Sequence, residues 1–299
     1  MRVNPDIVPD LVDAINQAQQ NEQTAVLEMS TGRSVNNLSD NPAAAAEFVN
    51  NEALSSYNDQ YLTNLSDLQG KFQTANSAMN NAVQLLTSAI SLGTEGATGT
   101  ESAADRQEIA VQVQGLQQQM LSLANTEYEG TYVFAGTDVT TQPFSQNASA
   151  ASGVQYNGNS NVTTVQISAG ESTQANVAGN QIFMNGSGNV FQALNDLVNA
   201  LNSGTGIDTA TNEVQQAFSQ LNTQQVFYGN ALSQVQNSQN FLNQEQVNLS
   251  TQQNSLVGAN LTQVVADESQ DQVSEEAALA ATGQILSLPN LLSYLSGSK

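Results

Sequence analysis

The sequence predicts a mainly α-helical protein: an elongated, antiparallel helical rod with coiled-coil-like packing of its N- and C-terminal segments and a small β-rich insertion. Two observations predict it. Apolar residues recur at alternating steps of three and four over long stretches toward both ends of the chain. That periodicity disappears between about residues 130 and 188, where short strand-like runs bounded by glycine and asparagine take over.

The first helix is expected over about residues 9–30. Ile7, Leu11, Ile15, Ala18 and Val26 form its stripe among Gln and Asn. A small-polar loop, STGRSVNNLSDNP, follows. The second helix starts at Pro42, a residue suited to a first helical turn, with Asp40 or Asn41 as the cap. Its seam reads Leu54, Tyr57, Tyr61, Leu65, Leu68, Phe72, Ala75, Met79, Ala82, Leu86 and Ala89, an eleven-residue step followed by heptads. A seam this long implies a helix of about 50 residues and about 75 Å. The glycines of GTEGATG end it. The third helix starts after a Ser102 or Thr100 cap and runs to about Tyr128 on Ile109, Val113, Leu116, Met120 and Leu123.

In the insertion, TYVFAG, GVQYNG, NVTTVQIS and QIFMNG read as strands, and Asn157-Gly158 and Asn185-Gly186 as hairpin turns. A short helix then carries Val190, Leu194, Leu197 and Leu201. A long one is expected over about 208–263, with Val235, Leu242, Leu249 and Leu256 seven apart and Gln239, Gln246 and Gln253 between them. Such glutamines either mark a wet helix edge or set register. A last helix is expected over about 272–296, on Ala277, Ala280, Ile285, Leu288, Leu292 and Leu295. The long helices should pack antiparallel and bury Leu65, Leu68, Phe72, Leu116, Leu123, Leu242 and Leu249. The first and last helices carry too little apolar surface to form a core alone, so they should meet.

Composition narrows the chemistry. Five basic residues stand against 27 acidic ones, for a net charge of −22. That balance, with no basic patch, opposes binding to nucleic acid or anionic membranes. Cysteine and histidine are absent, so thiolate chemistry and the commonest general base and metal ligand are unavailable. Asn and Gln together make roughly a quarter of the chain. DESQDQVSEE (267–276) lacks the glycine and spacing of a calcium loop and reads as a solvated helix face. Asp10 and Asp13 have no aromatic cleft beside them to suggest glycosidase acids. The Asn-X-Ser/Thr matches follow from composition and carry no glycosylation reading. No catalytic, cofactor or metal site is expected. The opening MRVNPDIVPD has no apolar signal core and no run approaches spanning length, so membrane insertion and a Sec-type signal are not expected.

Three stretches carry a family resemblance. They are MSTGRSVNNLSDNPAAAAEF (29–48), SAADRQEIAVQVQGLQQQMLSLANTEYEGTYVFAGT (102–137) and QILSLPNLLSYL (284–295). In order and position they resemble the flagellin family, and within it most closely the members that join hook to filament. Asn41 stands where the family pattern has a second Asp, and Pro289 interrupts the last helix.

The resemblance implies a structural, non-enzymatic flagellar subunit, with filament flagellin as the alternative. It implies an inner helical layer from residues 1–40 with 265–299, a rod domain from 41–129 with 205–264, and an outer insertion from 130–204. It implies export through the flagellar type III pathway without a cleaved signal. The implied partners are copies of the chain, a neighbouring hook-associated protein, flagellin and an export chaperone. Arg33, Asn36 and Asp40 match the loop signature joining inner and rod layers. Ile285, Leu288, Leu291, Leu292, Tyr294 and Leu295 match the C-terminal assembly and chaperone segment. A lone arginine in so acidic a chain either bridges carboxylates or carbonyls between layers through its planar fork, or is a solvated loop residue beside a helix end.

Overall fold

Heptad spacing sets the frame of the structure. In the computed structural model, which describes residues 7–287, α1 (Ile7–Thr31) leads into α2 (Pro42–Gly96) and α3 (Ala103–Ala124). α3 opens on a reciprocal capping box. Asp105 N–H donates to Ser102 Oγ at 3.2 Å, and Ser102 N–H donates to the Asp105 carboxylate at 3.0 Å. The insertion follows, then α5 (Val190–Ser203), α6 (Ile207–Val257) and α7 (Leu261–Ser287). The fold is mainly α. The described chain forms two compact units, one from the residues up to Ser56 and from Gln246 onward, the other Tyr57–Glu245.

In the second unit, Leu65, Phe72, Met79 and Leu86 are fully buried at heptad spacing on α2, with Leu68, Ala75, Ala82 and Ala89 completing the seam. Against them lie Val214, Ala217, Leu221, Val235 and Leu242 of α6. The pairing is antiparallel: Gln239 Nε2 donates to Gln69 Oε1 at 3.0 Å, and Gln225 Nε2 to Asn80 Oδ1 at 2.6 Å. In the first unit Gln246 likewise donates to Ser55 Oγ. Gln239 and Gln246 therefore make cross-helix hydrogen bonds at half-buried seam positions.

Two parts of the expected seam are corrected. Leu54 and Tyr57 are exposed, at 42% and 62%. The heptad running back from Leu65 instead passes through Asn58 and Asn51, both buried. The α2 seam thus turns polar toward its N-terminus without the eleven-residue step. Leu116 and Leu123 of α3 are only half-buried, while Ile109, Ala110, Val113, Met120 and Ala124 are buried where α3 packs on α5.

α3 ends at Ala124, short of the expected Tyr128, because the Asn125 amide is taken by the insertion. Its Nδ2 donates to Phe144 O and its Oδ1 accepts from Phe144 N–H, both at 2.9 Å. Three antiparallel hairpins follow among the described residues. β1 (Glu127–Tyr128) pairs with β2 (Thr131–Tyr132), β3 (Phe144–Gln146) with β4 (Val154–Tyr156), and β5 (Thr164–Ser168) with β6 (Glu171–Gln174).

The β1–β2 turn is Glu129-Gly130, both at positive φ. Asn157-Gly158 and Asn185-Gly186 are not hairpin turns. Gly158 lies against the Ala135 carbonyl, where a Cβ would fall 2.6 Å from the oxygen, and Gly186 opens a single 3₁₀ turn before α5. QIFMNG is not a strand either. Its first residues lie in α4 (Gly179–Phe183), which buries Ile182 and Phe183. Phe134, Phe144, Phe183 and Phe191 stack edge-on or tilted at 5.3–6.2 Å, and Phe134 and Phe72 meet Tyr228 of α6 at 6.5 and 6.0 Å. Edge-to-face aromatic packing of this kind locks the insertion to the helices.

In the first unit α1 packs against α7. Its inward positions are Leu11, Ile15, Ala18, Glu22 and Ala25. Val26, expected on this stripe, is half exposed. Eight residues on from Ala18, it lies about 80° around the helix, whereas Ala25 keeps the four-three step. On α7 the inward positions are Val264, Glu268, Asp271, Glu275 and Ala278, while Ala277 and Ala280 are exposed. The α6–α7 division falls at Gly258–Asn260, not between residues 263 and 272.

Candidate assembly site

The loop between α1 and α2 and the break between α6 and α7 form one structure within the first unit. α1 stops at Thr31 because Gly32 turns to φ +69°, with its N–H donating to Glu28 O at 2.8 Å. The chain then runs extended beside the break. Ser34 N–H donates to Val257 O at 2.7 Å and Ala259 N–H to Gly32 O at 2.9 Å, so Arg33 and Gly258 pair as an antiparallel bridge. Ser34 Oγ adds contacts to Val257 O and Gly258 O at 3.3 and 3.4 Å.

Glycine is required at 258. Its N–H still donates to Asn254 O at 2.9 Å, closing the last turn of α6, and a Cβ there would overlap that carbonyl oxygen. Asn260 restarts the helix: its Oδ1 accepts from Gln263 N–H at 3.4 Å, and its carbonyl accepts from Val264 N–H at 3.0 Å.

The three loop residues singled out in the sequence lie together here. Arg33 O accepts from Asn36 Nδ2 at 2.8 Å. Asp40 Oδ2 accepts from the main-chain N–H groups of Asn36 at 3.1 Å and Asn37 at 2.7 Å. Ser39 Oγ donates to the other carboxylate oxygen at 3.3 Å. These donors, chiefly the Asn37 and Asn36 amides, hold the Asp40 carboxyl below its ordinary value. Asp40 therefore closes the loop, and Asn41 is the helix cap, accepting from Ala44 N–H at 3.1 Å ahead of Pro42.

The guanidinium of Arg33 is exposed and sits 4.6 Å from the centroid of the half-buried Phe48 ring. Sequence reasoning missed both Phe48, almost two turns into α2, and Gly258. The signal for the second was present in VGAN, a glycine stop followed by an asparagine cap. Ile285 lies in the last turns of α7. Leu288, Leu291, Leu292, Tyr294 and Leu295 fall outside the described residues, as does Pro289.

The site is thus a loop clasp made of main-chain hydrogen bonds, with one exposed cation over an aromatic ring. Among the described residues no group of three or more His, Cys, Asp or Glu side chains could hold a metal ion, and no helix is long and apolar enough to cross a membrane.

The helical region at the N-terminus of bacterial flagellin matches residues 10–139, a span that takes in the clasp loop, α2, α3 and the first hairpin. Over those residues the chain is similar to the flagellin family. Over 157 residues it is 32% identical to flagellar hook-associated protein 3 of Escherichia coli (strain K12), covering 52% of this chain and 48% of that protein. The Salmonella typhimurium protein of the same name is 31% identical over the same length. The chain therefore matches about half the length of these relatives.

The structure of the flagellar junction protein FlgL from Legionella pneumophila superposes with a TM-score of 0.61 at 15% identity, covering 71% of this chain and 100% of that one. FlgL of Xanthomonas campestris gives 0.60 at 18% identity, covering 67% and 98%. At these identities the likeness establishes a shared fold.

Proposed function

We propose that this chain is a flagellin-family structural subunit of the hook–filament junction, joining hook to filament by self-assembly into a helical tube after export. The observation that carries the reading is the similarity to hook-associated protein 3 over 157 residues. In this reading the residues of 1–40 and 265–299 form the inner helical layer, those of 41–129 and 205–264 the rod, and 130–204 the outward insertion. The clasp of Arg33, Asn36 and Asp40 sets the path of the chain where α1 gives way to α2, and the exposed Arg33 fork is free to reach a neighbouring copy or layer.

The chain has no catalytic role in this reading. It travels through the flagellar type III channel. Its partners are copies of itself, a neighbouring hook-associated protein and flagellin. Before export, a chaperone covers the segment holding Ile285, Leu288, Leu291, Leu292, Tyr294 and Leu295.

Immunogold labelling of intact cells tests the reading. A single spot at the distal end of the hook is the expected result. Label along the filament would make the chain a filament flagellin, and a flagellum without label would end the proposal.

A further inference from the structure

Charge is distributed unevenly along the second unit. No charged residue occurs between Lys71 and Glu95 on α2, between Glu108 and Glu127 on and after α3, or between Glu213 and Glu245 on α6. In a chain of net charge −22 these three helical stretches form a neutral body. Within it, α6 carries a second stripe on the side away from its core seam. Thr223, Val226, Asn230, Ser233, Asn237 and Phe241 are all exposed and follow one another at steps of three or four, so they share one helix face. Val226 is 59% and Phe241 61% exposed. Beside the stripe, the β5–β6 hairpin closes a groove of about 590 Å³ with Phe241 at one end. Glu171 at its edge is tied to Ser168 Oγ at 3.2 Å and to Gln234 Nε2 at 3.3 Å.

We infer that this neutral stripe of α6 is a docking surface for a helix of a second copy of the same chain. The inference rests on the proposed self-assembly and names the surface that performs it. Two copies of so acidic a chain repel wherever their carboxylates face each other, and at close range like charges oppose contact strongly. They can approach closely only across surfaces without charge. A basic partner would gain most from the acidic stretches and nothing from this stripe. A second copy is suited to it, because its own α2 and α3 offer neutral, amide-rich helical faces of the same kind. Three-four spacing with short polar side chains, Asn230, Ser233 and Asn237, lets a helix lie against the stripe, and Val226 and Phe241 supply the apolar contact.

The absence of cysteine makes the test direct. Ser233→Cys and, as a control on the β3–β4 loop, Ser149→Cys are each labelled with a short photo-crosslinker on isolated hook–filament assemblies carrying the variant chain. The expected result is a product containing two copies of this chain from position 233, absent from position 149 and lost when Phe241→Asp is added. The helical circular-dichroism signal of the purified Phe241→Asp chain should be unchanged. A chain present in the assemblies whose position 233 links to a different protein, or to nothing, would overturn the inference and leave the junction reading standing. Absence of the correctly folded chain from the assemblies would overturn the junction reading and the inference with it.

Discussion

Gly258→Ala should open the clasp without unfolding the helices on either side. The added methyl overlaps the Asn254 carbonyl, which belongs to the helix it follows and cannot move without losing the last turn of α6. The chain at 258 must shift instead, and the two hydrogen bonds flanking it, Ser34 N–H to Val257 O and Ala259 N–H to Gly32 O, are the contacts that give way. Each net main-chain hydrogen bond contributes about 0.5–1.5 kcal/mol, so the local loss should be about 1–3 kcal/mol. Amide exchange through local opening at Ser34 and Ala259 should then accelerate roughly 5- to 150-fold. Amides in the α2 core around Phe72 should keep their protection. The measurement is residue-resolved hydrogen exchange on the purified chain, with far-ultraviolet circular dichroism as the check on helicity. Unchanged exchange at Ser34 and Ala259 would show that the bridge does not depend on a glycine, and the account of the α6–α7 break would fail.

Phe72→Ala removes a fully buried ring packed against Phe227 and Tyr228 and should cost about 3–5 kcal/mol, read from the midpoint of denaturant unfolding. Arg33→Ala should change monomer stability by under about 1 kcal/mol, because an exposed cation–π contact contributes little. It should still reduce swimming, with only partial rescue by Arg33→Lys, and normal swimming with filaments retained under shear would return Arg33 to a solvated loop residue. Asp40 has its folded pKa held below the unfolded value of 3.8, so its contribution is fully present above 3.8 and is lost as pH falls through the lower, folded value. Loop-amide exchange at Asn36 and Asn37, corrected for intrinsic rate, should therefore be flat from pH 5 to 8 and rise only in stronger acid, and a change near neutrality would contradict this. In the purified monomer the amides of α1 and α7 should exchange much faster than those of residues 60–90 and 230–245; equal protection would show that the terminal pair is stable by itself.

Regular spacing made much of the helical frame legible. Leu65, Phe72, Met79 and Leu86 announce themselves because large residues at steps of seven share one face of a helix, whereas on a strand they would alternate between faces. The same rule misplaced the start of the seam. Leu54 and Tyr57 are apolar enough to draw the eye, yet the geometry runs through Asn58 and Asn51. Periodicity also hid the end of α6, since Leu249 and Leu256 keep the step of seven up to Gly258 and the pattern carries no mark of where the backbone must yield. QIFMNG was unreadable for a related reason: a short apolar run fits a strand and a buried helical turn equally well, and only the Phe134, Phe144 and Phe191 rings around Phe183 decide it. At the clasp, the resemblance singled out Arg33, Asn36 and Asp40. Their partner strand lies more than two hundred residues away, and main-chain bridges leave no side-chain signature by which to find it.

The two units differ in what holds them, and the difference bears on assembly. The second unit buries large apolar side chains at nearly every turn, including six aromatic rings. Where α1 meets α7, the described contact offers two buried alanines, Ala18 and Ala25, one buried valine, Val264, and the half-buried Leu11 and Ile15. Around them stand Glu22 on one helix and Glu268, Asp271 and Glu275 on the other, all half-buried or nearly so and all of one sign. The Gln19 amide reaches Glu275 at 2.9 Å, which satisfies one carboxylate without neutralising it. Burying a valine contributes about 1.5–3 kcal/mol, whereas fixing a residue's backbone costs about 1–2 kcal/mol. A pair of helices this long cannot be held by so little, and the facing carboxylates oppose it further. Further stability for this pair must come from surfaces that cover Val12 and Leu27 on α1 and Val265, Val273 and Leu279 on α7, all of which are exposed in the single chain. In the proposed assembly, helices this weakly paired in the single chain would order only when neighbours arrive, which would delay polymerisation to the place where many copies meet.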